Sequence, residues 1–356
     1  MSSSTNRAAK ATAPQWGIAF PRPTTSGDGL NLIEAPLPRT LDVPLNQHVG
    51  APAEPIVGIG DVVDKGQPLA ETADGKLGAR IHAPTSGQIT AFTNIEIPGK
   101  GRSRCISIRA DGEDRLWSGC AASDNPLAHT PNALREAIID AGIVGLGGAM
   151  FPAGVKLNPG SGISTLILNG AECEPQINCD DALMRHRAME ILLGSQIMLR
   201  ILEADECVLA VKASTTENAS SPARDSLEAA LTELDDDRMR VETVPAIYPV
   251  GGEAQLIQLL TGREIPAGGL PWDTGVACQN VGTAAAINRF FESGEPALDR
   301  IVTVTGQGVR QPVNVLARIG TPVALLIECA GGYTESANRL ILGGPMMGLA
   351  ATTDAI

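Results

Sequence analysis

The chain of 356 residues has few aromatics: Phe, Tyr and Trp make up 3% of it, and its three tryptophans are scattered. A platform for stacking nucleobases is therefore missing, and the charge balance points the same way. Lysine and arginine number 27 against 40 acidic residues, a net charge of -13 with pI near 4.8. Binding a phosphate backbone needs clustered cations, so no nucleic-acid partner is expected. No apolar run approaches the roughly 18 residues of a membrane helix, and the first residues, SSSTNRAAKATA, lack the apolar block of a signal peptide. The four histidines, His48, His82, His129 and His186, form no HxxxH pair, which argues for ordinary surface or core roles over metal binding. Seven cysteines stand at 105, 120, 173, 179, 207, 278 and 329 with no CxxC, a pattern of reduced thiols that also excludes a ferredoxin-type cluster run within these residues.

What is present is organised in blocks. A length of 356 exceeds what one core usually serves, so several domains are expected. Residues 1–30, rich in Ser, Thr and Pro, read as a flexible lead. Short β-type runs punctuated by Gly and Pro fill residues 31–115, with a turn at Asp74 and Gly75 between two such phrases, as in the barrel-sandwich hybrid of lipoyl and biotinyl domains. Lys76 follows that turn, where it is either a plain surface lysine or a carrier lysine on a hairpin tip. Over 130–295 strands and helices alternate. Strands are predicted at Thr165–Leu168, Cys207–Val211 and Met239–Val244. Helices are predicted from Asp180 to Ile201, with apolar Leu183, Ile191, Ile197 and Ile201 at helical spacing and Asp180 or Asp181 as cap, and around Ala223–Leu234. Strand and helix in alternation give a parallel sheet, the fold class being multidomain α/β. Residues 296–350, with the strand VTVTG and a Pro-led helix, read as a small β-grasp module.

Two segments carry the chemistry. GLGGAMFPAGVK, from Gly145 to Lys156, strips side chains from a turn at Gly145, Gly147 and Gly148, so that backbone N–H groups can approach a phosphate or a flat ring, with Lys156 adding a point charge. A simple chain reversal would use the same residues. LILNGAECEP follows, from Leu166 to Pro175: an apolar strand ends at Asn169, then Glu172 and Glu174 lie on a short turn at the carboxyl end of a strand, where ligands of open α/β sheets bind. The plain alternative for the two glutamates is a solvated acidic turn. Cys173, between them, is a poor nucleophile, because neighbouring negative charge raises a thiol pKa.

These segments resemble the flavin- and NADH-binding core shared by the flavoprotein subunit of respiratory complex I and the C subunit of the Rnf (Rsx) electron-transport complex. YPVGGEAQLIQLLTGREIPAGGLPWDTGVACQNVGTAAAI, from Tyr248 to Ile287, is similar to the family's second flavin segment in its Rnf wording. VGIGDVVDKGQPLAE (Val57–Glu71) and RIHAPTSGQI (Arg80–Ile89) are similar to the small N-terminal domain of Rnf C subunits. The resemblance spans about residues 30 to 350 and implies a barrel-sandwich hybrid, a Rossmann-like FMN/NADH domain and an SLBB-type β-grasp module. It implies FMN as cofactor and NADH as substrate, with Gly145, Gly147, Gly148 and Lys156 at the flavin phosphate or ribityl chain. Phe151 would pack on the nucleotide, and Asn169 and the carboxylates of Glu172 and Glu174 would meet the ring and the ribose hydroxyls. Tyr248, Gly251, Gly252 and Glu253 would form the second flavin segment, with Asn280 and Thr283 closing over the phosphate end. Core packing for Phe151, and helix capping for Asn280 or Thr283, are the structural alternatives.

Further implications concern the assembly: other Rnf subunits and ferredoxin or a similar carrier as partners, ion translocation, and a peripheral place on the cytoplasmic face of the bacterial inner membrane. Full-length Rnf C subunits continue into a ferredoxin-like region with two 4Fe–4S clusters, and this sequence stops short of it at GGPMMGLAATTDAI. One departure concerns the nucleotide. Complex I flavoproteins have glycine at Met150 and an Arg-Gly-Arg approach at Val144, Gly145 and Leu146, so a side chain is added and positive charge lost beside the channel. Two other readings stay open: a cofactor-poor relative similar to the A subunit of the sodium-pumping NADH:quinone reductase, and a carrier protein using Lys76.

Overall fold

The computed structural model describes residues 14, 16–20, 30–97, 101–158, 160, 162–214 and 221–354. Strand β1 (Leu32–Glu34) leads into a compact β region formed by β2 (Thr40–Pro44), β3 (Glu54–Pro55), β4 (Val62–Val63), β5 (Pro68–Glu71), β6 (Ile81–His82), β7 (Gly87–Ile97) and β8 (Gly101–Ala110). Two sheets of order β2-β8-β7-β4 and β3-β5-β6 close around Val43, Leu69, Ala70, Ile89, Ile106 and Ile108. This is the expected barrel-sandwich layout. Lys76 lies exposed on the connection between β5 and β6.

The central unit starts with α1 (Pro131–Asp140), capped by the Thr130 hydroxyl, and the single turn α2 (Ala153–Lys156). It continues through β9 (Thr165–Gly170), α3 (Cys179–His186), α4 (Ala188–Leu202), β10 (Glu206–Lys212), α5 (Pro222–Leu234), β11 (Met239–Val244), α6 (Glu253–Thr261), β12 (Val276–Asn280) and α7 (Val281–Ser293). Its sheet is wholly parallel, in the order β11-β10-β9-β12. Along β9 the side chains alternate between two cores: Leu166 and Leu168 pack with α4 and α7, whereas Ile167 packs with Leu256 and Ile257 of α6. Gly194 lets α4 approach α7, since a Cβ there would lie 1.9 Å from the Ala284 carbonyl oxygen.

The third unit comprises β13 (Asp299–Val304), β14 (Val313–Arg318), α8 (Val323–Cys329), β15 (Leu340–Leu342) and β16 (Leu349–Ala351). The N-terminal strand β1 adds to it in parallel beside β14. Among the described residues no helix is long and apolar enough to cross a membrane.

Two expectations need correction. The helix predicted from Asp180 to Ile201 is two helices, α3 and α4, because Arg187 adopts φ -138 and ψ 39, outside the helical region. Asn178 rather than Asp180 or Asp181 takes the cap position, without a side-chain cap, and its own N–H donates to the Thr303 hydroxyl of β13 at 3.1 Å. In the lead expected to be flexible, Ile18 pairs with Tyr248, and Phe20 meets the Tyr248 ring edge-on at 6.3 Å. Residues 1–13, 15 and 21–29 of that lead lie outside the described residues.

Candidate functional site

The parallel register sets Asn280, last in β12, directly beside Asn169 of β9 at the carboxyl edge of the sheet. Each side chain works twice. Asn169 Nδ2 donates to the Gly251 carbonyl at 2.8 Å, and Oδ1 accepts the Ala171 N–H at 3.0 Å. Asn280 Oδ1 caps α7 by accepting the Gly282 N–H at 2.7 Å, and its Nδ2 donates to Asp180 Oδ2 at 2.7 Å and to the Asn169 carbonyl at 3.3 Å. The capping role of Asn280 is thus real, and the same side chain joins three segments.

The glycine loop arches over this edge. The bridge between Val144 and Pro152 and the Gly145 N–H on the Phe151 carbonyl at 2.8 Å close its base. Thr283 Oγ1, one turn into α7, accepts the Leu146 N–H at 3.0 Å, and Gly147 passes against Asn280. Gly148 has φ +100 and Met150 has φ +51, a left-handed conformation that costs a residue with Cβ about 1 kcal/mol and that glycine takes freely. Among the described residues, the amides of Gly147 and Gly148 donate no hydrogen bond. Lys156 and Glu253 face each other at 2.6 Å, joining α2 to the first residue of α6, which Gly252 precedes as cap residue. Gly251 is required for space: a Cβ there would stand 2.7 Å from the Ala171 carbonyl oxygen. Phe151 and Tyr248 are both half-buried, and Tyr248 meets the Phe20 ring edge-on.

Beneath the loop sit two carboxyls that are close together. Glu172 Oε1 accepts the Cys179 thiol at 2.9 Å, its backbone carbonyl accepts Lys212 Nζ at 2.8 Å, and its Oε2 is buried without a partner. Ligand atoms of Glu172, Cys179 and Asp180 lie within 4.8 Å of one another. Burial first, then the charge of Glu172, holds the Asp180 carboxyl well above the usual carboxylate range, and burial raises Glu172. The same causes, burial first and then the charge of Glu172, hold the Cys179 thiol well up. Cys173 is raised by burial and then by Glu174, as expected of a poor nucleophile.

This cluster predicts a pH dependence. A carboxyl whose folded pKa exceeds its unfolded one favours the folded state below the unfolded pKa, and that contribution is lost as pH rises through the folded pKa. Asp180→Asn removes this loss while an amide oxygen can still accept from Asn280 Nδ2. Its thermal midpoint, relative to the parent, is expected to rise more in alkaline than in mildly acid buffer; a difference independent of pH would contradict the assignment.

An open cleft adjoins the site at Leu146, Asp180 and Gly282 and is also lined by Arg187, Arg289 and Arg300. The positive charge absent from the glycine loop is thus near, although Arg289 is tied to Asp299 at 2.7 Å and burial pulls Arg300 down to about 10. Glu174 points the other way, toward the C-terminal unit, where it accepts the N–H groups of Met346 and Met347. The structure therefore gathers Gly147, Asn169, Glu172, Asn280 and Thr283 around one edge. Lys156, Gly251 and Glu253 flank it, and Phe151 and Tyr248 lie at its margin. Asp180, Cys179 and Lys212 belong to it too, although sequence reading gave Asp180 only a capping role. The acidic pair opening α3, six residues beyond Glu174, was the available signal.

Comparison with known proteins finds the same three units along the chain. Residues 138–289 match the Nuo51 FMN-binding domain, residues 15–113 the RnfC barrel sandwich hybrid domain, and residues 301–350 the SLBB domain. The chain is a homologue of the C subunit of ion-translocating oxidoreductase complexes. It is 44% identical over 338 residues to that protein from Pseudomonas aeruginosa, covering 94% of this chain and 42% of the relative, and 42% identical over 318 residues to that from Rhodobacter capsulatus, covering 88% and 60%. This Rnf C homologue thus spans about half the length of the curated relatives it matches. An NAD+-reducing [NiFe]-hydrogenase structure shares the fold, with a TM-score of 0.54 at 24% identity over 65% of this chain and 44% of that one. The FMN-binding match covers every residue of the edge described above.

Proposed function

We propose that the chain is the NADH-oxidising, FMN-holding part of an Rnf-type ion-translocating oxidoreductase, peripheral on the cytoplasmic face of the membrane. Other complex subunits and ferredoxin or a similar carrier would be its partners. The observation that carries this reading is the pairing of Asn169 with Asn280 beneath a glycine loop whose Gly147 and Gly148 amides have, among the described residues, no hydrogen-bond acceptor, beside a buried Glu172 oxygen that also has no partner among them. Free donors, an unpartnered carboxyl and a neighbouring cation are what a phosphate-bearing flavin with a polar ring edge requires.

Gly147, Gly148 and Lys156 would hold the phosphate end, with Asn280 and Thr283 fixing the loop that presents them. Asn169 keeps the strand end and Gly251 in place, and Glu172, which follows on the same strand end, would meet the ring edge. FMN, when bound, supplies acceptance of a hydride and release of its electrons one at a time. Glu172 and Asp180, whose carboxyls burial holds above the usual range, would carry protons close to that chemistry, and Glu174 would receive ribose hydroxyls of the nucleotide.

Reconstitution tests the reading. The purified chain incubated with FMN is expected to retain close to one equivalent of flavin, bleached by NADH under anaerobic conditions. Lys156→Ala is expected to weaken retention by about 1.5–3 kcal/mol, the worth of a charge-assisted contact. A chain that retains no flavin after reconstitution would remove the proposal.

A further inference from the structure

Glu174 is held from outside its own domain. The backbone N–H groups of Met346 and Met347 donate to its two carboxylate oxygens at 3.0 and 2.7 Å, from the turn Gly343–Gly348 that joins β15 to β16. Consecutive amides facing one carboxylate form a backbone anion nest. The shape of the turn depends on glycine: Gly343 and Gly344 have φ +96 and +94, and a Cβ on Gly344 would stand 2.4 Å from Glu174 Oε2. The Gly348 N–H on the Gly344 carbonyl, at 2.9 Å, closes the turn. Met347 is 73% exposed and Met346 42%, so apolar burial does not explain why the turn sits here. Its contribution to the site is a pair of amides.

We propose that the Gly343–Gly348 turn is a positioning element of the nucleotide site: it fixes the direction of the Glu174 carboxylate before the nucleotide arrives. The inference rests on reading Glu174 as the acceptor of ribose hydroxyls. A carboxylate offers about four lone-pair sites, of which the nest occupies two. The remaining two point in fixed directions. A free glutamate would lose rotamer freedom on binding a ribose, whereas here that loss is already part of folding, so the nucleotide does not incur it. The SLBB-type module is thereby a contributor to affinity and not only a neighbour of the flavin domain.

The test uses the FMN-loaded chain and ADP-ribose, which carries ribose hydroxyls and no hydride. Gly344→Ala and Glu174→Gln are each expected to weaken ADP-ribose binding by about tenfold in calorimetry, the loss of a charge-assisted contact or of its alignment, with flavin content unchanged. The double variant is expected to bind no worse than the weaker single one, where independent effects would multiply to about a hundredfold. Glu174→Asp, which withdraws the carboxylate from the nest and leaves the turn's backbone alone, is expected to weaken binding similarly and keeps the test decisive if Gly344→Ala does not fold. With only eight methionines in the chain, 15N-Met labelling reads the nest directly: ADP-ribose is expected to shift the Met346 and Met347 amide resonances. If Glu174→Gln weakens binding while Gly344→Ala and Glu174→Asp do not, the turn is a structural joint and the inference is overturned. If Glu174→Gln itself leaves ADP-ribose binding intact, Glu174 is not in the nucleotide site, and that earlier reading fails with it.

Discussion

Asn280→Ala is expected to release FMN and to lower the stability of the parallel-sheet domain by about 2–4 kcal/mol, combining about 1 kcal/mol for a lost N-cap with about 1–3 kcal/mol for a buried polar group left unpaired. Its side chain caps α7, donates to Asp180 and meets the carbonyl of Asn169, so one truncation disconnects the helix, the acidic cluster and the neighbouring strand end. Asn280→Asp separates these roles. Aspartate caps a helix as well as asparagine does, but it cannot donate to Asp180 and adds a carboxylate to a place where two already resist ionisation. Its deficit is therefore expected to match that of Ala in alkaline urea titrations and to shrink on acidification, as the added carboxyl takes up a proton. An aspartate variant as stable as the parent at alkaline pH would show that the cap alone matters.

Local pattern carried much of the fold and part of the site. Strand β11 lies over Met239–Val244, where it is predicted, and the helix over Pro222–Leu234 differs from its predicted start by one residue. The break at Arg187 was not legible. Leu183, Ile191, Ile197 and Ile201 keep helical spacing across it, all four are buried, and what turns α3 away is contact with β13 through Asn178 and Thr303, 125 residues apart. The site divides in the same way. Asn169 and Asn280 could be singled out from strand ends within motifs, but their adjacency comes from the order β11-β10-β9-β12, which no local stretch encodes. Lys212 arrives from the next strand, and the amides that hold Glu174 come from a turn whose GGPMMG wording shows glycine and gives no address for its partner. Sequence shows which groups can do chemistry; topology decides which of them meet.

The placement of the cysteines leads to the other large effect, an all-or-none difference between electron acceptors. An iron–sulfur cluster needs several thiolates converging on one point. Cys105, Cys207 and Cys278 are buried in three separate cores or sheets, where burial pushes the thiols of Cys105 and Cys278 up to about 11 and 12 and raises Cys207 further. Cys179 is committed to Glu172, and among the described residues the only close group of potential metal ligands contains that one cysteine and two carboxyls. Electrons reaching the proposed flavin in this chain thus have no cluster to leave by. The FMN-loaded chain is expected to reduce ferricyanide or a small dye with NADH at a rate set by hydride transfer, because such acceptors collide directly with a flavin at the surface. A protein acceptor such as ferredoxin is expected to stay oxidised, because it needs a one-electron centre close to its docking surface. Anaerobic incubation with iron and sulfide followed by electron paramagnetic resonance is the deciding measurement: a stoichiometric reduced-cluster signal from this chain, or ferredoxin reduction at the dye rate, would show that its thiols can converge and that the flavin has an outlet within these residues.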